Sequence, residues 1–136
     1  MSYGKKNRCL YEDIIVKKIY PSLQKSDALI LLCPNYNDAI GAELTAFVNR
    51  LTALYRISPF DDKYLYAIIV SGYSGGDIIA EQLIGSMNMN KSFILPGQFA
   101  LTATANAPGS VLKLPAIDER ARKFAIRIQD TLLDKV

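Results

Sequence analysis

The sequence predicts an α/β fold: a parallel sheet flanked by helices. Three observations carry that expectation. Short apolar runs, "DALILLC" (Asp27–Cys33), Leu65–Ser71 and Ser92–Leu95, alternate with segments whose apolar residues recur at helical spacing. The runs end at Pro34, Gly72 and Pro96, as strands buried in a sheet end at turn-forming residues. The corner "SGYSGG" (Ser71–Gly76) joins one run directly to a helical segment, the connection expected where a strand feeds a crossover helix.

Residues 1–10 read as an irregular lead-in. From Tyr11 to about Gln24, Ile14, Ile15, Ile19 and Leu23 repeat at helical spacing, with Glu12 and Asp13 near the start and Lys17 and Lys18 later. Pro21 should kink this helix or begin a new turn. "DALILLC" then reads as a strand buried on both faces and ended by Pro34. After the loop "PNYNDAIG", Leu44, Phe47 or Val48, Leu51 and Tyr55 mark one side of a helix over 41–55. A loop around Ser58–Asp62 leads to the second strand, and the glycine corner opens a helix from Asp77 to about Met89. "KSFILPG" supplies a third strand over 92–95, and residues 98–114 carry turn signals at Asn106–Gly109. Ile117, Ala121, Phe124, Ile128 and Leu132 form the stripe of a last helix, with Asp118 and Glu119 in its first turn. The three strands should be parallel neighbours, with helix 41–55 crossing between the first two.

A chain of 136 residues, half hydrophobic and a fifth charged, is expected to form a single globular domain, 1–136. No apolar run approaches the roughly 20 residues that span a bilayer, and the chain does not open with a signal-peptide pattern, so a cytoplasmic protein without membrane association is expected. Cys9 and Cys33 form no CxxC, and Cys33 lies within an apolar run, which suits a reduced intracellular protein. The net charge of +3 sits entirely in residues 1–27, with six Lys/Arg against three Asp/Glu; residues 28–136 carry ten of each. Such a charged leader is not the basic face with interleaved aromatics that nucleic acid requires, and no nucleic-acid partner is expected. The absence of histidine removes the commonest general base and zinc ligand together.

Ligands of an open parallel sheet settle beyond the carboxyl ends of its strands. Two loops occupy that place: Pro34-Asn35-Tyr36-Asn37-Asp38 and Ser71–Gly76. Both offer amide side chains, a tyrosine face or uncovered backbone N–H groups, all suited to a planar polar ring. Glycine lets backbone donors approach a ligand closely, and a helix beginning at Asp77 would point its free N–H groups the same way. Turn chemistry alone accounts for the same glycines, and Tyr36 fits equally as a packing residue under a loop. Asp38 and Asp77 read as helix caps, and Cys33 as a core residue rather than a nucleophile.

At these two loops the sequence resembles the NAD(P)H-dependent FMN reductases. "SDALILLCPNYNDAIGAELTAFVNRL" is similar to the family stretch in which an apolar strand ends in Pro-x-Tyr, followed by a loop and a helix finishing in Asp/Asn-Arg, here Asn49-Arg50. "SGYSGGDIIAEQL" resembles the family's Ser/Thr-Gly-x-x-Gly-Gly corner, and "NKSFILPG" its next strand. "RCLYEDIIVKKIYPSLQKSDALI" resembles the preceding segment, so the likeness covers about residues 8–135. It implies a flavodoxin-like fold, a parallel sheet in the order 2-1-3-4-5, with FMN as cofactor and NAD(P)H as electron donor. Members are usually dimers. By resemblance, Pro34, Asn35, Tyr36 and Asn37 would line the isoalloxazine ring, and Ser71, Gly72, Tyr73, Gly75 and Gly76 would hold its other edge. The flavin supplies the redox chemistry, so no dedicated acid or base is required.

The family pattern opens with a strand, a phosphate loop, a helix and a second strand that have no counterpart in this sequence. The expected fold is therefore a flavodoxin-like sheet truncated to the last three strands, and activity of the chain alone is open. A non-catalytic assembly module of the same fold, using an open sheet edge, is the competing expectation. A phosphoacceptor receiver of that fold would need acids at the strand ends, where this chain has Cys33-Pro34 and Ser71-Gly72. In the complete sheet the strand "DALILLC" is central; here one of its sides should be unpaired. Self-association, a fold-back of segment 1–10 or a partner supplying the missing strands is expected to cover it, with self-association favoured because residues 1–10 are too polar to make a good strand.

Overall fold

The computed structural model describes residues 13–135. The expected lead-in 1–10 and the start of the first helix at Tyr11 and Glu12 lie outside the described residues. A π-helical segment, Ile15–Ile19, runs into α1 (Tyr20–Lys25), with Pro21 near the start of α1. Then come β1 (Ala28–Tyr36), β2 (Ala39–Ile40), α2 (Ala42–Tyr55), β3 (Tyr64–Ser71) and α3 (Gly76–Leu83), which continues as a π-helical segment to Met89. β4 (Ala100–Thr104), a 3₁₀ turn at Ser110–Lys113 and α4 (Ile117–Leu133) complete the order.

The sheet runs β2-β1-β3-β4. β1 and β3 are parallel from Ala28↔Tyr64 to Pro34↔Val70, and β3 and β4 are parallel from Ala67↔Ala100 to Ser71↔Thr104. α2 makes the connection between β1 and β3, as expected from the apolar stripe of 41–55. An α/β sheet of mostly parallel strands flanked by helices is the flavodoxin-like architecture.

Its main core lies on one face. Leu31, Cys33, Leu65, Ala67 and Ile69 of the sheet meet Val48, Leu51 and Leu54 of α2 and Ile79 and Leu83 of α3, around Phe60, Met87 and Phe93. Each such side chain contributes roughly 1.5–3 kcal/mol by leaving water. On the other face Phe124 of α4 packs on Tyr66 and Leu101, its ring edge-on to that of Tyr66 at 5.9 Å. Asp13, where the described residues begin, is tied to α2 by the Arg50 guanidinium, which donates to both of its carboxylate oxygens at 2.6 and 3.0 Å. Buried Lys63 closes the other end of the sheet, donating from Nζ to the carbonyls of Gln24 (3.1 Å) and Ser26 (2.9 Å).

Two expectations are corrected. The third strand is not 92–95. Only Ile94 of that run bridges β3, at Tyr64, and the ladder resumes at Ala100↔Ala67. Pro96 lacks the N–H a ladder needs, and with Gly97 it turns the chain out, so the strand forms after the break rather than before it. Nor is "DALILLC" buried on both faces: Leu31 and Cys33 are buried, while Ile30 and Leu32 are 47% and 70% exposed. α4 lies over Tyr66 and Leu101, on β3 and β4, and no described residue takes the equivalent place over Ile30 and Leu32.

Candidate functional site

β1 does not stop at Pro34. It continues to Tyr36, turns through Asn37 and Asp38, and returns as β2, with Tyr36 opposite Ala39 and Asn35 opposite Ile40. Asn37 (φ 52°) and Asp38 (φ 57°) are both left-handed, the backbone of a two-residue hairpin turn that asparagine and aspartate tolerate better than other non-glycine residues. The second loop, 72–75, follows β3. Because Pro34 is in register with Val70, the two loops leave the same, carboxyl end of parallel strands.

Asn35 joins them. Its Nδ2 donates to Ser71 Oγ (3.2 Å) and to the Ser74 carbonyl (3.0 Å), and contacts Asp38 Oδ1 at 3.2 Å. Ser71 is buried beneath this junction. Gly75, the residue capping α3, has φ 83°, and a Cβ there would lie 1.9 Å from Asp38 Oδ1 and 2.8 Å from Asn35 Nδ2. Glycine at 75 is thus required by the neighbouring loop itself. Gly72 lies close to the Asn106 side chain, with a Cβ placed there 3.1 Å from Oδ1. Gly76 is a helical residue whose added Cβ would make ordinary contacts from 3.6 Å. Gln82 of α3 clamps the hairpin from below: its Nε2 donates to the Asp38 carbonyl at 2.7 Å, and its Oε1 accepts from the Ile40 N–H at 3.2 Å.

Between the loops lies an open cleft of about 310 Å³, lined by Asn35, Asn37, Asp38, Gly72, Tyr73 and Ser74. That volume is at the lower end of small-ligand sites. Tyr73 presents an almost free ring, 83% exposed. The Asn35 Oδ1 atom is buried and has no hydrogen-bond partner. A buried polar atom without a partner costs about 1–3 kcal/mol. These groups suit the edge of a flat, polar heterocycle: one fixed acceptor, backbone amides at glycine, and an aromatic face.

Of the sequence-predicted residues, Asn35, Asn37, Gly72 and Tyr73 meet at the cleft, with Ser71 and Gly75 forming its junction. Pro34, Tyr36 and Gly76 stand beside it. Tyr36 rests its ring against Gly41, where an added Cβ would be 3.5 Å away. Neither aspartate is the expected helix cap. The N-caps of α2 and α3 are Gly41 and Gly75, without side-chain cap bonds, Asp38 lies in the hairpin turn, and Asp77 is in the first turn of α3. Asp38 and Ser74, inside the two loops predicted to hold the ligand but not assigned to the ring, join the site, as does Gln82, which the sequence did not point to. The "ND" pair was the available signal for the hairpin; Gln82 gave none, because its role depends on where α3 docks. Burial of Cys33 pushes its thiol up to about 11, far from the range of a reactive thiolate, in line with a core role. Among the described residues, no group of Cys, Asp and Glu is placed to hold a metal ion, and no helix is long and apolar enough to cross a membrane.

Comparison with known proteins bears on the fold and the family. The Trp repressor binding protein from Bacillus subtilis superposes with a TM-score of 0.63 at 20% identity, covering 80% of this chain and 75% of that one. At that identity the likeness is one of fold. A comparison with curated proteins gave no significant match. The family model of NADPH-dependent FMN reductase, however, matches residues 2–106, a span that takes in both loops and the cleft between them. Its cofactor is FMN and its electron donor NAD(P)H, and the chain belongs to this family of flavin-dependent oxidoreductases.

Proposed function

We propose that the cleft between Asn35 and the 72–75 loop seats the isoalloxazine ring of FMN, and that the chain serves NAD(P)H-dependent reduction of a flavin or quinone acceptor. The observation that carries this is the buried, unpartnered Oδ1 of Asn35. When bound, FMN supplies the redox chemistry. The chain's own residues bind and orient it. Asn35 Oδ1 offers an acceptor to a ring N–H, the backbone at Gly72 and Ser74 offers polar contacts along the loop, and Tyr73 offers a face for the flat ring. Asn37 and Asp38 close one side, held by Gln82. No side chain is needed to move a proton from carbon, which suits a site without histidine.

The test is a titration of the purified chain with FMN, followed by flavin fluorescence and visible absorbance, with NADPH oxidation measured on the loaded protein. Saturable binding is expected, weakened about tenfold or more in Asn35→Ala, since a hydrogen bond to a buried acceptor is lost. Absence of saturable binding by the unmodified chain would refute the assignment. A second reading, a non-catalytic assembly module, is favoured by one feature alone: the exposure of Ile30 and Leu32, beside a side of β1 that no described strand pairs over 28–32. It predicts self-association without flavin retention.

A further inference from the structure

We infer that the wedge between the second half of α4 and the segment entering β4 is a second binding site, for a small zwitterion with the chemistry of a polar α-amino acid. This is independent of the flavin assignment. α4 crosses the sheet obliquely. Near its start Arg120 Nη2 donates to the Thr102 carbonyl of β4 at 2.5 Å, and just past its end Lys135 Nζ donates to Asp27 Oδ1, ahead of β1, at 3.3 Å. The helix therefore draws away from β4 along its length, and a cleft of about 410 Å³ opens between it and Pro96–Gln98. Its walls are Tyr66 of β3, the chain entering β4, and α4 itself. It lies on the β4 side of α4, away from the side of β1 that no described strand pairs. Tyr66 and Ser71 stand toward opposite ends of β3, roughly 16 Å apart along an extended strand, so this cleft and the one at Asn35 open at opposite ends of the sheet.

The floor of the cleft carries an unmet hydrogen bond. Tyr66 is 1% exposed, it borders the cleft, and its hydroxyl has no partner. A buried hydroxyl is ordinarily paired, and this one has a proton to give and lone pairs to accept with. The helical wall carries both signs of charge: Arg127, Asp130 and Asp134 fall on one side of α4 at i, i+3 and i+7. Among the described residues they form no ion pair with one another, although Arg127 and Asp130 are spaced for one. Opposite them stand the Gln98 amide and the apolar ring of Pro96. A ligand of a single sign meets repulsion here, an anion at the aspartates or a cation at the arginine. A molecule with both signs satisfies the wall. Its carboxylate takes the forked Arg127 guanidinium, and its ammonium takes Asp130, displaced about 4.5 Å along the helix axis. A polar side chain on the same molecule then reaches inward to the Tyr66 hydroxyl.

The probe is free L-glutamine, titrated into the full chain at neutral pH with backbone amide shifts read by NMR. Saturable shifts are expected at Gly97, Gln98 and Thr131, with the amides of Asn35 and the 72–75 loop unmoved. Butylamine and butyrate, each carrying one of the two charges, should bind at least about tenfold more weakly. Arg127→Gln, at an exposed helix position, should keep its far-UV circular dichroism and weaken glutamine roughly tenfold. Tyr66→Phe separates a ligand-binding hydroxyl from one that is merely buried. Removing the unpaired group should raise the urea midpoint of the free chain, yet weaken glutamine about fivefold. The absence of saturable shifts at Gly97 and Gln98 overturns the inference. So does butylamine or butyrate binding as well as glutamine, or an unchanged glutamine affinity in either variant. FMN titration of the same samples reads the flavin assignment separately.

Discussion

A Cβ on Gly75 would lie 1.9 Å from Oδ1 of Asp38, and Gly75 already holds a left-handed backbone at φ 83°. Two loops from different strands therefore meet where only glycine fits. Gly75→Ala should destabilise the fold by about 1–3 kcal/mol through steric overlap and backbone strain, and weaken FMN binding with it. Gly76→Ala, helical and with contacts no nearer than 3.6 Å, should change stability by less than about 1 kcal/mol. Urea unfolding of both variants checks the contrast; equal costs would remove loop-to-loop packing as the reason for Gly75.

Gln82 satisfies two backbone groups of the hairpin, the Asp38 carbonyl and the Ile40 N–H. Gln82→Ala leaves both without that partner and should cost about 1–3 kcal/mol locally. Amide exchange at Ile40 should speed up while exchange in the β3 core stays unchanged, and FMN affinity should fall severalfold as the hairpin loosens. An unchanged Ile40 exchange rate would show that the clamp does not hold the turn.

The elements that sequence resolved were those whose pattern repeats. The stripe of Leu44, Val48 and Leu51 placed α2 to within a residue, and the run 65–71 placed β3. The third strand was misplaced because "KSFIL" has the stronger local β pattern, whereas Ala100–Thr104 is a strand only because β3 offers it a ladder after the Pro96–Gly97 break. The exposure of Ile30 and Leu32 was equally invisible, since an apolar run says nothing of which neighbours cover it. At the site, residue types marked both loops, but the Asn35-to-Ser71 bond and the Gln82 clamp depend on how distant elements dock.

Asp13 and Arg50 form a bidentate pair. The Arg50 guanidinium holds the Asp13 carboxyl below its ordinary 3.8, and the N–H groups of Val16 and Ile15 add to the effect. A carboxyl whose folded value is depressed contributes its stability in full above the unfolded value and loses it as pH falls through the folded one. The urea midpoint of the unmodified chain should therefore fall below about pH 4, and that part of the fall should be absent in Asp13→Asn. Parallel acid profiles would show that the pair does not tie the first helical segment to α2.

Lys91 shifts the same way, but its charge is a cost at neutral pH rather than a contribution. It is 3% exposed, its Nζ donates to the Ser86 carbonyl at 3.2 Å, and burial holds its ammonium below the ordinary 10.5. A lysine depressed in the folded state charges more readily once unfolded, so its contribution is full only above 10.5 and is lost as pH falls through the folded value. At neutral pH the buried charge is a cost. Lys91→Met keeps the length of the stem and removes the ammonium, and should stabilise the fold by about 1 kcal/mol at pH 7. The gain should shrink as pH rises toward 10.5, because the unmodified chain then sheds the charge it has to bury. Urea midpoints of both proteins, compared at neutral and alkaline pH, measure this directly. A variant less stable at pH 7 by the same margin at every pH would mean that the bond to Ser86 outweighs the cost of burying the charge.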